Sequence, residues 1–290
     1  MQIALMVEGQ EGVSWEQWLA LGEACERHGI ETMFRSDHYL SQTDPSRLAT
    51  DAWTQLAALA ARTTTLRLGT LVSPVTFRHA AVVAKAAATV DHLSGGRVEV
   101  GLGAGWMVEE HERFRLSFPE TSERVAMLAR DLEQVDRRLR EDPLVVQRPR
   151  PPLLVGGSAQ RGSAEPAARL ADEYNPYGVD PAEAGRRRKR LDEACERAGR
   201  DPQTLRFSVM TPFLLGRDHA ERFVEVFPSV GSARECFEEL RRRGLAGSRV
   251  DLVDGLRGYE SVGADRVMLQ HVVHDDLDVV AALGEVAAAL

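Results

Sequence analysis

The feature that most restricts the fold of this chain is the alternation of short apolar runs with longer segments of helical period. The predicted strands are Gln2–Val7, Glu31–Ser36, Leu66–Ser73, Arg97–Leu102, Pro152–Val155, Asp172–Asn175, Leu205–Leu215 and Arg266–His271. The predicted helices are Trp15–His28, Thr50–Arg62, His79–Leu93, Ser122–Arg140, Gly162–Ala171, Pro181–Ala198, Gly231–Arg243, Val250–Val262 and Leu277–Ala289. Because strands joined by helical crossovers pair in parallel, the chain predicts an α/β fold.

Two architectures accommodate this alternation, a doubly wound open sheet and a closed (β/α)8 TIM barrel, and eight strands favour the barrel. Several strands end in glycine or polar clusters, and in a barrel these ends converge on one face, where active sites are built. No linker-like tract divides the chain, so we expect one domain over residues 1–290. The most irregular connection is predicted at Arg217–Val230.

Charge and cysteine content exclude several classes of partner. With 36 basic and 44 acidic residues, the chain has a net charge of −8 and no general attraction for nucleic acid or anionic membranes. The basic run 186–190 is predicted to be a solvated helix face. No apolar run reaches the roughly 18 residues of a membrane span, and three separated cysteines fit neither a disulfide framework nor a metal site. We therefore expect a cytoplasmic protein that acts on a small molecule.

A glycine-rich segment follows the fourth predicted strand and opens a helix. It contains Gly103, Ala104, Gly105 and Trp106, in a spacing that differs from the dinucleotide fingerprint GxGxxG. Glycine allows a backbone to approach a ligand closely, but it also serves tight turns that packing requires, and both interpretations stay open. Trp106 favours a ligand, because an aromatic side chain at a barrel mouth can cover a planar ring.

A second candidate site is the turn Gly156, Gly157 and Ser158, which precedes a predicted helix. Free N–H groups and the dipole at a helix start favour a phosphate, and Arg161 could add positive charge. The alternative is an ordinary strand-to-helix turn with a serine cap.

Histidines supply the candidates for proton transfer. Asp37 and His38 end the second strand, His271 ends the last strand, and His274 follows it. We expect no metal site, since two histidines three apart on an extended segment point to opposite faces. The other histidines, at helices, are expected at the surface or with satisfied partners. No GxSxG, HExxH or GxxxxGK[ST] motif occurs, so hydrolase and P-loop chemistry is not supported.

Taken in order, several segments resemble the luciferase-like monooxygenase family, and within it the branch that uses the deazaflavin coenzyme F420. They are Thr32 to His38 (TMFRSDH), Asp51 to His79, Ala84 to Glu110 (ending in VGLGAGWMVEE), Arg148 to Arg161 (RPRPPLLVGGSAQR), Ala198 to Leu205 and Gly263 to Asp278. The match extends over nearly the whole chain.

The resemblance implies a luciferase-like TIM barrel that binds a flavin-like ring at its mouth and transfers hydride. It implies that Asp37 and His38 lie beside the ring and that His271 lies near the substrate, these three being the catalytic candidates. A bulge that often carries a non-prolyl cis peptide, here Leu71–Val72, would support the ring. The implied cofactor-binding residues are Asp37, Thr70, Leu71, Val72, Ser73, Gly103, Ala104, Gly105, Trp106, Gly156, Gly157, Ser158 and Arg161.

Other functions on the same fold stay open. The first is an FMN-dependent monooxygenase that uses reduced flavin and oxygen, and the second is a catalytically silent cofactor-binding protein. A homodimer is suggested only by analogy with the fold. The segment Arg140–Arg148 is shorter than in many family members, where it helps to cover the pocket, so we expect a more open mouth or a different lid.

Overall fold

Eight parallel strands form a closed barrel in the computed structural model, which describes residues 1–290. The chain has eleven strands in all, three of them short strands of two residues outside the ring: β1 (Gln2–Val7), β2 (Thr32–Arg35), β3 (Arg67–Thr70), β4 (Ser73–Pro74), β5 (Val98–Gly103), β6 (Leu153–Gly156), β7 (Glu173–Asn175), β8 (Arg206–Pro212), β9 (Leu214–Leu215), β10 (Ala246–Gly247) and β11 (Arg266–His271). The ring runs β1, β2, β3, β5, β6, β7, β8 and β11, and the pairing of β11 with β1 closes it. The predicted TIM barrel is confirmed.

Helices surround the barrel. They are α1 (Trp15–His28), α2 (Ala52–Ala60), α3 (Ala80–Ser94), α4 (Val108–Phe114), α5 (Thr121–Glu141), α6 (Arg161–Leu170), α7 (Pro181–Arg197), α8 (Gly216–Val226), α9 (Ala233–Arg242), α10 (Arg249–Glu260) and α11 (Leu277–Ala289). The nine predicted helices are present, each end within two residues of its expected position. None of the eleven helices has the length and apolar character that would let it cross a membrane.

The prediction of an irregular connection at Arg217–Val230 was wrong, because α8 occupies most of it. This helix buries only His219, Ala220 and Phe223, a narrow stripe in an otherwise charged segment. Because His219, Ala220 and Phe223 lie on one face of a helix, the helical period was present in this segment and was overlooked in the sequence. The predicted strand Leu205–Leu215 is likewise divided into β8 and β9.

The barrel interior is filled in layers, as side chains alternate between the inside and outside of each strand. At the amino ends of the strands, Arg266 binds Glu99 (2.7 Å) and Glu173 (2.6 Å). The middle layer is apolar and consists of Ala4, Met6, Phe34, Leu71, Leu154, Met210 and Met268. At the carboxyl ends, Gln270 donates to Glu8 at 2.6 Å. The polar top of the barrel is the floor of its mouth.

An excursion between β8 and α10 adds a rim on one side of the mouth. It contains β9, α8, α9 and β10, and β9 pairs with β10 in parallel. Thr43 and Arg47, in the loop after β2, both donate to the carbonyl of Val226 at the end of α8. Arg47 also binds the buried Glu11 at 2.6 Å, so the loops after β1 and β2 and the excursion support one another.

Candidate active site

His38 lies at the rim of the barrel mouth, just beyond the end of β2, and is held by a carboxylate from a different element. Its Nδ1 is 2.9 Å from Oε2 of Glu110, a fully buried residue of α4. The Oε1 atom of Glu110 accepts the backbone N–H groups of Tyr39 and Leu40. Trp106 packs edge-on against the imidazole with ring centroids 5.5 Å apart. Because Glu110 occupies Nδ1, Nε2 is the nitrogen that His38 offers to a ligand.

The charges around His38 are acidic. Burial opposes its protonation, but the hydrogen bond and charge of Glu110, together with the charges of Glu8 and Asp37, raise the pKa of His38 above its ordinary value. Glu110 therefore favours the protonated form of the imidazole, which is the form that can donate a proton.

Asp37, next to His38, has a different environment. It is fully buried and accepts hydrogen bonds from Ser73 Oγ and Arg78 Nη1, both at 2.6 Å. The same Ser73 oxygen accepts the indole N–H of Trp53 at 3.0 Å. The hydroxyl of Thr70 donates to a carbonyl of β5. The hydrogen bond between Asp37 and Ser73 thus joins the end of β2 to β4, and the hydroxyl of Thr70 joins β3 to β5.

The bulge between β3 and β4 contains a cis peptide bond at Leu71–Val72, as the family resemblance implied. A Cβ at Gly103 would collide with the side chain of Val72, and one at Gly156 would lie a tight 3.0 Å from it. Packing against Val72 therefore accounts for both glycines whether or not a ligand is bound. Val72 and the two glycines together make an apolar wall on this side of the mouth.

The loop after β5 continues this wall. Gly105 has φ +78°, and a Cβ there would lie 2.9 Å from Thr76 Oγ1, so the tight-turn interpretation accounts for this glycine. Ala104 is half-buried beside it. Trp106 is 58% exposed, which leaves most of a large aromatic surface free at the rim. Of the four predicted residues in this loop, Trp106 has the surface best suited to cover a planar ligand.

The turn Gly156, Gly157 and Ser158 is shaped by a tyrosine that the sequence analysis did not identify. A Cβ at Gly157 would lie 2.5 Å from the hydroxyl of Tyr174. That hydroxyl accepts the N–H of Ala159 at 2.8 Å and is 2.7 Å from Ser163 Oγ. Tyr174 therefore holds the turn in place from within β7.

The start of α6 after this turn carries no side-chain cap. The hydroxyl of Ser158 is exposed and forms no hydrogen bond within the chain, so it does not cap the helix. Arg161, whose side chain is 84% exposed, forms a salt bridge with Glu165 at 2.8 Å. In the first turn of α6 the N–H of Ser163 donates to the carbonyl of Gln160, whereas those of Arg161 and Gly162 have no partner within the chain. Free N–H groups at a helix N-terminus are the arrangement that binds a phosphate.

His271 lies away from His38. Met268 and Gln270 point into the barrel, so His271, the next residue, points outward to the helices. It is fully buried between His219 of α8 and His274, with ring centroids 6.2 and 6.3 Å away, and neither ring nitrogen has a hydrogen-bond partner. The structure therefore does not bring His271 together with the other predicted catalytic residues.

The short segment Arg140–Arg148 lies at the opposite end of the barrel. Gln147 donates to Asp91 at 2.7 Å and to the carbonyl of Val98, the first residue of β5, at 2.8 Å. It also accepts a hydrogen bond from Arg67, the first residue of β3. The expectation that this segment affects the openness of the mouth was wrong, because an α-to-β connection returns to the amino ends of the strands.

Three residues of the mouth were not identified as site residues from the sequence: Glu8, Glu110 and Tyr174. Glu110 was within the quoted glycine-rich segment, but nothing in the sequence indicates that α4 turns its carboxylate towards His38. The signal for Glu8 was available, since it follows an apolar strand at the end where barrel sites are built.

A closed parallel barrel with its polar groups at the carboxyl ends of the strands defines an α/β-barrel enzyme scaffold. The chain belongs to the luciferase-like monooxygenase family, whose family model matches residues 2–249. The resemblance seen in the sequence is confirmed.

Curated relatives are named for coenzyme F420. An F420-dependent glucose-6-phosphate dehydrogenase of Segniliparus rotundus is 36% identical over 111 residues, which are 38% of this chain and 33% of that protein. The enzyme of the same name from Nakamurella multipartita is 24% identical over 89% of this chain and 75% of its own length. This chain thus spans about a third of the length of the Segniliparus rotundus enzyme and of two further enzymes of the same name.

Solved structures share the fold over the whole chain. A monooxygenase from Streptomyces bottropensis superposes with a TM-score of 0.81 at 22% identity, over 100% of this chain and 98% of that one. An F420-dependent secondary alcohol dehydrogenase, solved with an F420–acetone adduct, gives a TM-score of 0.81 at 18% identity over 98% and 97% of the two chains. At these identities the likeness establishes the fold alone.

Proposed function

We propose that this protein is an oxidoreductase that transfers hydride between the deazaflavin coenzyme F420 and a small organic substrate at the barrel mouth. The observation that carries the proposal is that the pair His38 and Glu110 lies at the same barrel mouth as the Val72 wall and the uncapped start of α6, in a chain of this family. The names of the curated relatives support F420 as the cofactor.

The residues present fit such a cofactor. The side chain of Val72, packed against Gly103 and Gly156, offers an apolar surface to a planar ring, and Trp106 offers an aromatic surface at the rim. The free N–H groups at the start of α6 would hold the phosphate. When bound, the deazaflavin supplies a ring carbon that accepts or donates hydride.

The chain itself handles the proton. We assign His38 Nε2 as the group that takes a proton from a substrate hydroxyl as the adjacent carbon loses hydride, or that returns the proton to a carbonyl in the reverse direction. Glu110 keeps the imidazole oriented and supports its protonated form. Asp37 is placed as a positioning residue, since Ser73 and Arg78 occupy its oxygens. We do not include His271, because it faces away from the mouth.

The direct test is a fluorescence titration of the purified protein with F420, with FMN and with the deazaflavin riboside that lacks the phosphate. We expect F420 to bind at micromolar concentration or tighter, and the riboside to bind at least about tenfold more weakly, because it cannot use the start of α6. Selective FMN binding, with oxygen consumption when the flavin is reduced, would assign the protein to monooxygenase chemistry instead. Binding of none of the three would contradict the proposal.

A further inference from the structure

The floor of the barrel mouth contains a carboxylate without a cationic partner. Glu8 follows β1, is 4% exposed, and accepts hydrogen bonds from two amides, Gln270 Nε2 at 2.6 Å and Gln10 Nε2 at 2.9 Å. Gln10 and Gly9 are in turn linked to the hydroxyl of Ser36. The two amides fix the orientation of the carboxylate and leave each of its oxygens able to accept a further hydrogen bond.

Glu8 lies beside the end of β2 that leads to His38, because the next residue, Gly9, donates its N–H to Ser36 Oγ at 2.9 Å. The charge of Glu8 contributes to the raised pKa of His38. A substrate that presents its reacting carbon beside His38 therefore meets the Glu8 carboxylate below it.

Three arginines near the mouth are already paired with carboxylates. Arg78 is paired with Asp37 and Asp51, Arg47 with Glu11, and Arg243 with Glu239. Arg35 has no carboxylate partner, but it is fully buried outside the barrel wall, where its guanidinium donates to Ser36, Thr50 and Gln55. A phosphate or carboxylate group beside Glu8 would face a carboxylate with which no arginine forms a salt bridge.

We propose that Glu8 is the substrate-orienting residue of the mouth and that it selects a neutral or cationic hydroxyl compound, an alcohol or amino alcohol, against phosphorylated and carboxylated ones. This inference rests on the proposed function in treating the mouth as the substrate site. It separates this chain from the substrate named for its curated relatives, a sugar phosphate, because a dianion beside Glu8 would meet a carboxylate whose only partners are two amides.

The test uses three secondary alcohols that share a phenyl–CH(OH) group and carry beside it a cationic, a neutral or an anionic group: protonated 2-amino-1-phenylethanol, 1-phenylethane-1,2-diol and mandelate. Binding is measured by ligand-observed NMR at pH 7, with and without F420. We expect the ammonium compound to bind at least about tenfold more tightly than mandelate, with the diol between them. We also expect glucose 6-phosphate to bind no more tightly than glucose. Mandelate binding as tightly as the ammonium compound, or preferential binding of glucose 6-phosphate, would overturn the proposal.

The variant Glu8→Gln keeps the shape of the side chain and removes its charge, so it should reduce the affinity for the ammonium compound to that for the diol. The matched control is Glu109→Gln, which removes an exposed carboxylate from α4 close to the same mouth. It should leave the ranking of the three compounds by affinity unchanged. An unchanged preference in a folded Glu8→Gln protein would reject the assignment to Glu8. The ranking in the unmodified protein decides the substrate class even if the variant does not fold. Because the series without F420 needs no cofactor, its result is independent of whether F420 binds.

Discussion

Two adjacent residues, Asp37 and His38, show how environment divides the roles of neighbouring side chains. Asp37 points into the protein, where a hydroxyl and a guanidinium satisfy it. His38 points to the rim, keeps Nε2 free and depends on Glu110 for its orientation and charge. In the folded chain the carboxylate that assists His38 is therefore that of Glu110, not that of its neighbour Asp37.

Substitution of Glu110 should therefore reduce the stability of the protein, and the size of the loss should depend on pH. Because the pKa of His38 is raised in the folded protein, the stability from this pair is present below the unfolded-state pKa of about 6.5 and is lost as pH rises through the folded-state pKa. We expect Glu110→Gln to destabilise the protein by about 1.5–3 kcal/mol at pH 6 and by less at pH 9, where the amide can still bond a neutral imidazole. Urea unfolding at both pH values measures this.

The same variant should lower the pKa of His38 in an NMR titration of its ring protons. Glu109→Gln, the exposed neighbour of Glu110, is the control and should change neither the titration nor the stability. If the His38 titration is unchanged in Glu110→Gln, Glu110 does not support the charge of His38.

At the level of elements, the wall of the mouth depends on how three strand ends meet at Val72. We expect Gly103→Ala to destabilise the protein by about 1–3 kcal/mol, because the added methyl group collides with Val72 in a packed site. Gly258→Ala in α10 is the control: its Cβ would meet only Pro181 at 3.6 Å, so it should be neutral or slightly stabilising. Equal unfolding midpoints in urea for the two variants would show that Val72 moves aside freely.

The contact between β11 and α8 contains three buried histidines that are neutral in the folded protein. Burial lowers the pKa of His219 and of His274 to about 4, and it lowers that of His271 well below its ordinary value. Their contribution to stability is thus present above the unfolded-state pKa of about 6.5 and is lost as pH falls. We expect a loss of about 2 kcal/mol per histidine between pH 7.5 and pH 5, partly offset by His38, whose pKa is shifted in the opposite direction.

Unfolding free energies at the two pH values measure this loss. His271→Leu should reduce it by the share of one histidine, since neither nitrogen of His271 has a partner that leucine would leave unpaired. His92→Gln, at an exposed position of α3, serves as the control and should keep the original pH dependence. A His271→Leu protein with the full pH dependence would show that His271 does not contribute to it.

At the scale of the whole molecule, the barrel is braced across its interior by one arginine. Arg266 of β11 binds Glu99 of β5 and Glu173 of β7, and all three side chains are buried. Arg266→Met should destabilise the protein by about 3 kcal/mol, the lower end for a broken buried pair, because Arg67 and Arg206 still partner the two glutamates. Thermal or urea unfolding measures the loss.

Arg249→Met provides the comparison at the surface. Arg249 forms an exposed pair with Glu285 at 3.1 Å, and its loss should change stability by no more than about 0.5 kcal/mol. If both variants lose the same stability, the buried network does not brace the barrel.

Much of the architecture could be predicted because it depends on local patterns. The eight strands, nine of the eleven helices, parallel pairing and barrel closure follow from periodicity, and the cis peptide at Leu71–Val72 was expected from a family resemblance. Strand ends that converge on one face also placed His38, the glycine wall and the turn at Gly156 at one mouth. These features require only that each segment has its own period and that the chain alternates.

Only the tertiary structure decided which side chains meet. Glu110 reaches His38 from 72 residues away, Tyr174 of β7 holds the turn that follows β6, and Glu8 accepts from Gln270 of β11, the strand that pairs with β1 when the barrel closes. His271 does not lie in the mouth as expected, because successive residues of a strand point to opposite sides and its neighbour Gln270 is the one that points into the barrel. The sequence determined the scaffold and the end at which the site lies. The contacts across the barrel, which no local pattern encodes, determined the charge and orientation of the groups that act there.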